Sequence, residues 1–199
     1  MAKIKLTKNE QKKQKDALKR YLRYLPTLML KKQQLQLEIR RVESQQQARL
    51  ADRSALTREL ESWVSVFGEQ SDLAPLLRLG ALHTETGNIA GVDIPLFQSV
   101  ETEEKPYDLF LTPLWVDAAL EIMRQLAALD AEVAVLSRQA RLLGEELRIT
   151  SQRVNLFEKV KIPEARENIR KIQIYLGDQQ TAAVVRGKIA KGKLLRVNA

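Results

Sequence analysis

Two long stretches of this sequence carry apolar residues in alternating steps of three and four, and that pattern constrains the fold more than any other feature. The first stretch places Leu18, Tyr21, Leu25, Leu28, Leu35, Ile39 and Val42 on one grid, with Lys32 on the same grid. It turns polar at Gln46, Arg49 and Arg53, then recovers at Leu56, Leu60, Trp63 and Phe67. The second stretch is cleaner, running Trp115, Ala119, Ile122, Leu126, Leu129, Val133, Leu136, Ala140, Leu143, Leu147, Thr150, Val154 and Phe157. Such spacing is the a/d stripe of a coiled coil, because each step returns to one face of a slightly underwound helix.

The spacing predicts helix one over about 9–67 and helix two over about 113–176, with Thr112 as N-cap and Pro113 at the first helical position. Asp117 and Glu121 favour the positive helix start. Each helix is about 90 Å long at 1.5 Å per residue. Equal lengths on either side of one connecting segment argue for an antiparallel hairpin within a single elongated domain. Pro26 and Pro163 fall inside the helices and predict bends in a continuing helix. Beyond Leu176 the basic tail 177–199 has little periodicity and is expected to be a frayed helix or partly disordered.

The connecting segment, about 68–112, differs in kind: with Pro113 at its end, it holds four of the chain's six prolines. Leu79–Glu85 and Ile89–Phe97 alternate like strands, and Thr86-Gly87-Asn88 between them reads as their turn. The fold class is therefore mostly α, a long two-helix coiled-coil hairpin with a small β-hairpin in its connection.

Charge gives this hairpin a polarity. Residues 1–49 carry 14 Lys and Arg against 4 Asp and Glu; residues 50–135 carry 5 against 15; residues 136–199 carry 14 against 6. Folding back once brings the two basic segments to one end. A basic run could meet nucleic acid, anionic lipid or an acidic protein surface, but no nucleic-acid module or base-stacking aromatics accompany it. The chain has no cysteine, so disulfides and thiolate sites are excluded. No secretory h-region and no transmembrane-length apolar run occur, and a cytoplasmic location is expected.

Catalytic candidates are few. His83 is the sole histidine and reads as structural. Gly187-Lys188 lacks the rest of a phosphate loop. The pairs Glu103-Glu104 and Glu145-Glu146 sit on solvated faces, where paired carboxylates do no chemistry. The stripe itself offers a better candidate. If Phe67 lies opposite Trp115, then Arg49 falls near Val133, Gln46 near Leu136 and Arg53 near Leu129. Leu129, Val133 and Leu136 would then form an open stripe for a partner helix, unless Ala48, Leu50 and Ala51 shift phase to cover it.

The run Leu147-Arg148-Ile149-Thr150-Ser151-Gln152-Arg153-Val154-Asn155-Leu156-Phe157-Glu158-Lys159, followed by Ile162-Pro163, Ile169, Ile172, Tyr175 and Leu176, resembles the D subunit of the V-type/A-type rotary ATPases. So do Leu6-Thr7-Lys8, the helix 28–35, and Gly87-Asn88-Ile89-Ala90-Gly91-Val92-Asp93-Ile94-Pro95, which is similar to that family's short hairpin. The resemblance covers nearly the whole chain; Pro26 is the feature it does not include. It implies a non-catalytic central-stalk rotor without cofactors, peripheral to the membrane. Its terminal helices would enter a head of A and B subunits. A small F subunit would bind beside it, and its other end would seat on the C subunit above the membrane ring. The shaft would couple ATP turnover to proton or sodium movement. The residues expected at the head are Lys3, Lys5, Lys12, Lys13, Arg148, Thr150, Ser151, Gln152, Arg153, Asn155, Lys188, Lys191 and Lys193. A coiled-coil adaptor with the β-hairpin as its binding head is the alternative.

Overall fold

The computed structural model describes residues 4–61, 76–108, 112–113 and 115–197, with side chains to residue 193. Two compact units divide the chain: Met1–Lys31 with Ile149–Ala199, and Lys32–Arg148.

Helix α1 spans Lys8–Glu61. Thr7 caps it: its hydroxyl accepts from the Glu10 N–H at 3.3 Å and its carbonyl from the Gln11 N–H at 3.0 Å. Thr7 followed by Glu10 has the capping-box spacing, and Glu10 opposes the helix dipole. The helix continues through Pro26 as expected. Just past that proline the Thr27 hydroxyl donates to the Tyr24 carbonyl at 2.8 Å. The expected extension to Phe67 lies outside the described residues.

Within the unit Lys32–Arg148, α1 runs antiparallel to α2 (Val116–Asn155). Three polar contacts fix the register: Gln46 Nε2 donates to Ser137 Oγ at 2.8 Å, Arg49 Nε to Glu132 at 2.9 Å, and Arg53 Nε to Asp130 at 2.5 Å. Numbers rise on one helix as they fall on the other. Helix α2 starts later than the expected Thr112. Thr112 turns back instead, both its N–H and its hydroxyl donating to the Asp108 carbonyl. Val116 N–H then reaches the Pro113 carbonyl at 3.1 Å, and the helix proper begins there. Pro113 thus closes the approach rather than opening the helix, and Asp117 lies in the first turn.

Strands β1 (Leu77–Ile89) and β2 (Val92–Glu104) form a two-stranded antiparallel sheet. Ile89 faces Val92, leaving a two-residue loop at Ala90-Gly91 with φ of 52° and 76°. Both values are positive, the requirement of a type I′ turn matched to the twist of the strands. The sequence reading placed the turn at 86–88; the structure moves it to 90–91. Asn88 is the residue that fixes it. Its Oδ1 accepts from the Gly91 N–H at 3.1 Å, and its Nδ2 donates to Asp93 at 2.6 Å. Gly87 lies within β1 opposite Ile94, and a Cβ there would stand 2.8 Å from Leu96 Cδ1. Its missing side chain makes room for Leu96 and has no part in turning the chain. The register shifts after Leu79 and again after His83, so the alternation of faces breaks along the hairpin.

The hairpin tip closes the core of this unit. Ile94, 1% exposed, joins Leu35 and Val42 of α1 and Leu136 and Leu143 of α2. Ile89, Ala90, Val92, Ile39, Ala140 and Leu147 pack around them. Burying one such side chain is worth about 1.5–3 kcal/mol. Gln139, buried beside this cluster, donates Nε2 to the Pro95 carbonyl at 2.6 Å. Pro95 has no N–H to give to a strand ladder, and here its carbonyl is the group that ties β2 to α2.

In the other unit, Tyr21 of α1 stacks on Phe157, ring centroids 5.1 Å apart and tilted by 47°. After Asn155 the helix widens into a π-helical turn over Leu156–Lys161 and resumes as α3, Ile162–Val197. Pro163 is the second residue of α3, so the helix does continue past it. The Ile162 N–H reaches five residues back, to the Phe157 carbonyl. Helical structure runs on past Leu176 through Val197. Glycines at 177, 187 and 192 have nothing within 4 Å of a Cβ position, so no close approach demands them.

Candidate interaction surfaces

Among the described residues these elements present surfaces as the candidate sites. Among the described residues no group of His, Asp and Glu is placed to hold a metal ion. His83 pairs with Glu101 across the hairpin at 2.6 Å, about half exposed.

The first surface is electrostatic. The unit Met1–Lys31 with Ile149–Ala199 holds 21 Lys and Arg against 6 Asp and Glu, a net +15. The unit Lys32–Arg148 holds 12 against 19, a net −7. Lys5, Lys12, Lys13, Lys188, Lys191 and Lys193 all belong to the first unit and are exposed. Gln152, Arg153 and Asn155 are exposed there too, and Ser151 is half-buried. Lys13, Lys19 and Arg20 line a shallow depression with Asp16. Two expected contact residues are placed differently. Arg148 is exposed but belongs to the acidic unit. Thr150 is 1% exposed, a seam residue closed to any outside contact. Lys3 lies outside the described residues.

The second surface is the expected open stripe of α2. Leu136 is 7% exposed and sits in the core beneath Ile94, so it is covered by its own chain. The hairpin tip supplies that cover; of Ala48, Leu50 and Ala51, which the sequence offered for it, the two alanines are exposed and Leu50 is half-buried. Leu129 and Val133 are half-buried. The polar residues of α1 find polar partners one position off the stripe: Ser137, Glu132 and Asp130. Glu132 and Asp52 hold the Arg49 guanidinium above its ordinary pKa, the hydrogen bond to Glu132 contributing most. What remains open lies nearer the hairpin base. Leu79, Leu82 and Val100 face Met123, Leu126 and Ala127 across an apolar groove. Leu79 and Leu82 are 58% and 45% exposed. No regularity of β1 announced this groove, because the two register shifts decide which leucines turn outward.

The connection into α2 is held by Tyr107, whose hydroxyl donates to Asp117. That hydrogen bond, with burial and the carboxylate's charge, raises the phenol's pKa. Arg124 bridges Glu104 of β2 at 3.2 Å and Glu121 at 2.5 Å.

An antiparallel helical hairpin with a β-hairpin docked on it, charge divided between two units, defines a mostly helical hairpin protein. The family model for the ATP synthase D subunit matches residues 10–192. The V-type ATP synthase D subunit of Borreliella burgdorferi is 52% identical over 198 residues, covering 100% of this chain and 98% of that protein. The protein of the same name from Chlamydia caviae is 36% identical over 195 residues, covering 96% of this chain and 93% of its own length. The chain belongs to the ATP synthase D-subunit family, as a component of a V-type ATP synthase. Among the described residues no helix is long and apolar enough to cross a membrane.

Proposed function

We infer that this chain is the central-stalk rotor of its complex, a component without catalysis of its own. It carries torque between a head that makes or hydrolyses ATP and a membrane ring that moves protons or sodium ions. The division of charge supports this reading most directly: one unit at +15 and the other at −7 suit two different sockets. In this reading the basic unit turns inside an acidic-lined bore of alternating A and B subunits. The small F subunit binds beside α2 near Leu129, Val133 and the apolar groove. The C subunit receives the acidic unit, on the cytoplasmic side of the membrane. Packed seams on both units resist twisting better than a lone helix, which a shaft requires.

The test is rotation. With the A and B head fixed to a surface and a bead attached through a cysteine introduced in β2, ATP should drive stepwise turning of the bead. A bead that stays still while the head hydrolyses ATP at its normal rate would remove the rotor reading.

A further inference from the structure

We propose that the π-helical turn at Leu156–Lys161 carries a one-residue insertion in the helical seam, and that it is the point where this helix twists most easily. The inference concerns the chain itself and does not depend on the rotor reading.

The buried positions show the insertion. Thr150, Val154 and the Tyr21-stacked Phe157 are spaced by four and three, a heptad step. The next buried residue is Ile162, five further on. Ala165 and Ile172 are buried after it, with Ile169 and Leu176 half-buried between and beyond, and the steps of three and four are restored. The apolar seam residues after the π-turn, Ile162, Ala165, Ile169, Ile172 and Leu176, are thus one position out of phase with those before it, while buried Asn168 beside them keeps the earlier phase. In an uninterrupted α-helix one extra residue rotates all that follows by about 100°, which would swing Ile162 and Ile172 off the seam. A π-turn absorbs an extra residue locally, because its hydrogen bonds reach one residue further back. The Ile162 N–H bonding to the Phe157 carbonyl has that reach.

Compliance follows from the same geometry. None of the six residues of the turn is buried, and Leu156 and Val160 are 44% and 48% exposed. Phe157 is held by Tyr21 and Lys161 by an ion pair to Glu164 at 3.3 Å, the latter within the helix itself. Wider hydrogen bonds and few packed neighbours make this the least anchored length between the seamed stretches 150–157 and 162–176. Pro163 is the competing cause, since it lacks the N–H that would bond the Lys159 carbonyl. Yet Pro26 sits within α1 with no such turn recorded there, so a proline alone does not demand one.

Three variants of the full chain test this, read by thermal melting and amide hydrogen exchange. Deleting Glu158 shortens the step of five to four and makes the heptad continuous. The variant should melt no lower than the parent. Exchange at 157–162, about tenfold or more faster than in the flanking turns of the parent, should slow to the flanking rate. Deleting Arg141, equally exposed but in a stretch without an insertion, leaves a step of two and should lower the melting temperature sharply. Pro163→Ala should keep the fast exchange. The proposal is overturned if deleting Glu158 is as damaging as deleting Arg141. It is overturned equally if 157–162 exchange no faster than their neighbours in the parent, or if Pro163→Ala alone restores protection there.

Discussion

Single side chains decide how the hairpin docks, and Ile94 decides most. It is the one strand residue buried among Leu35, Val42, Leu136 and Leu143. Ile94→Ala should lower the stability of this unit by about 2–5 kcal/mol, against about 0.5–1.5 for Ile94→Val. Denaturant unfolding followed by far-UV dichroism reads the difference, and equal losses for both variants would mean the site collapses around the missing atoms. Gly91 has no such packing role but holds φ at 76°. Gly91→Ala should cost about 1–2 kcal/mol through backbone strain alone, in the same measurement. Tyr107 gives a pH signature. Its neutral form donates to Asp117, so its pKa is raised and the contact is favoured by protons. The stabilisation is fully present below the ordinary tyrosine pKa, near 10, and is lost as pH climbs through the higher folded value. The chain has four tyrosines. In a phenolate absorbance titration, Tyr107→Phe should remove a step lying above the ordinary tyrosine value; if the missing step lies at that ordinary value, the hydrogen bond does not govern that residue.

At the level of elements, the seams were legible and the interruptions were not. Steps of three and four placed the two long helices, and the expected Arg49–Val133 pairing differs by one residue from the contact Arg49 makes with Glu132. Periodicity reports which face is apolar, and two such faces of similar length have few ways to match. It does not report what a distant segment lays over that face. Leu136 was therefore expected on an open stripe, whereas Ile94 covers it. The turn was misplaced because Gly87 is the more obvious punctuation, while the positive φ values fall at Ala90 and Gly91. The π-turn left a trace that could have been read: Ile162, Ile169, Ile172 and Leu176 are one residue off the grid through Phe157. The helix beyond Leu176 left less, because helix without an apolar partner needs no stripe. Of the residues expected to meet the head, most lie on exposed positions of the basic unit, but Thr150 had already appeared on the seam grid and is buried there. The element-scale prediction concerns Leu136→Glu. A charge placed in that core should destabilise the isolated chain, visible as a lower melting temperature and loss of tertiary signal. A variant that melts like the parent would show that the hairpin tip lifts away readily and that the stripe beneath can be opened.

Across the whole molecule the division of charge is the property that no single residue carries. A net +15 on one unit and −7 on the other produce opposed fields, and fields of that kind act on association more than on folding. The exposed lysines at 5, 12, 13, 188, 191 and 193 have no salt bridge among those found in the described structure, so reversing them disturbs little inside the chain. Lys12→Glu with Lys13→Glu, or Lys188→Glu with Lys191→Glu, should leave the melting temperature near that of the parent. If the basic unit seats in an acidic bore, both pairs should slow assembly with the A and B head, and the loss should shrink as salt rises. Screening lengths fall from about 10 Å at 0.1 M to about 3 Å at 1 M, so the parent should lose its advantage over that range. Surface-plasmon association rates at several salt concentrations give the answer. Equal rates for parent and reversed variants at low salt would mean that the head recognises the shape and the seam of this unit, with its charge serving only to keep the chain soluble.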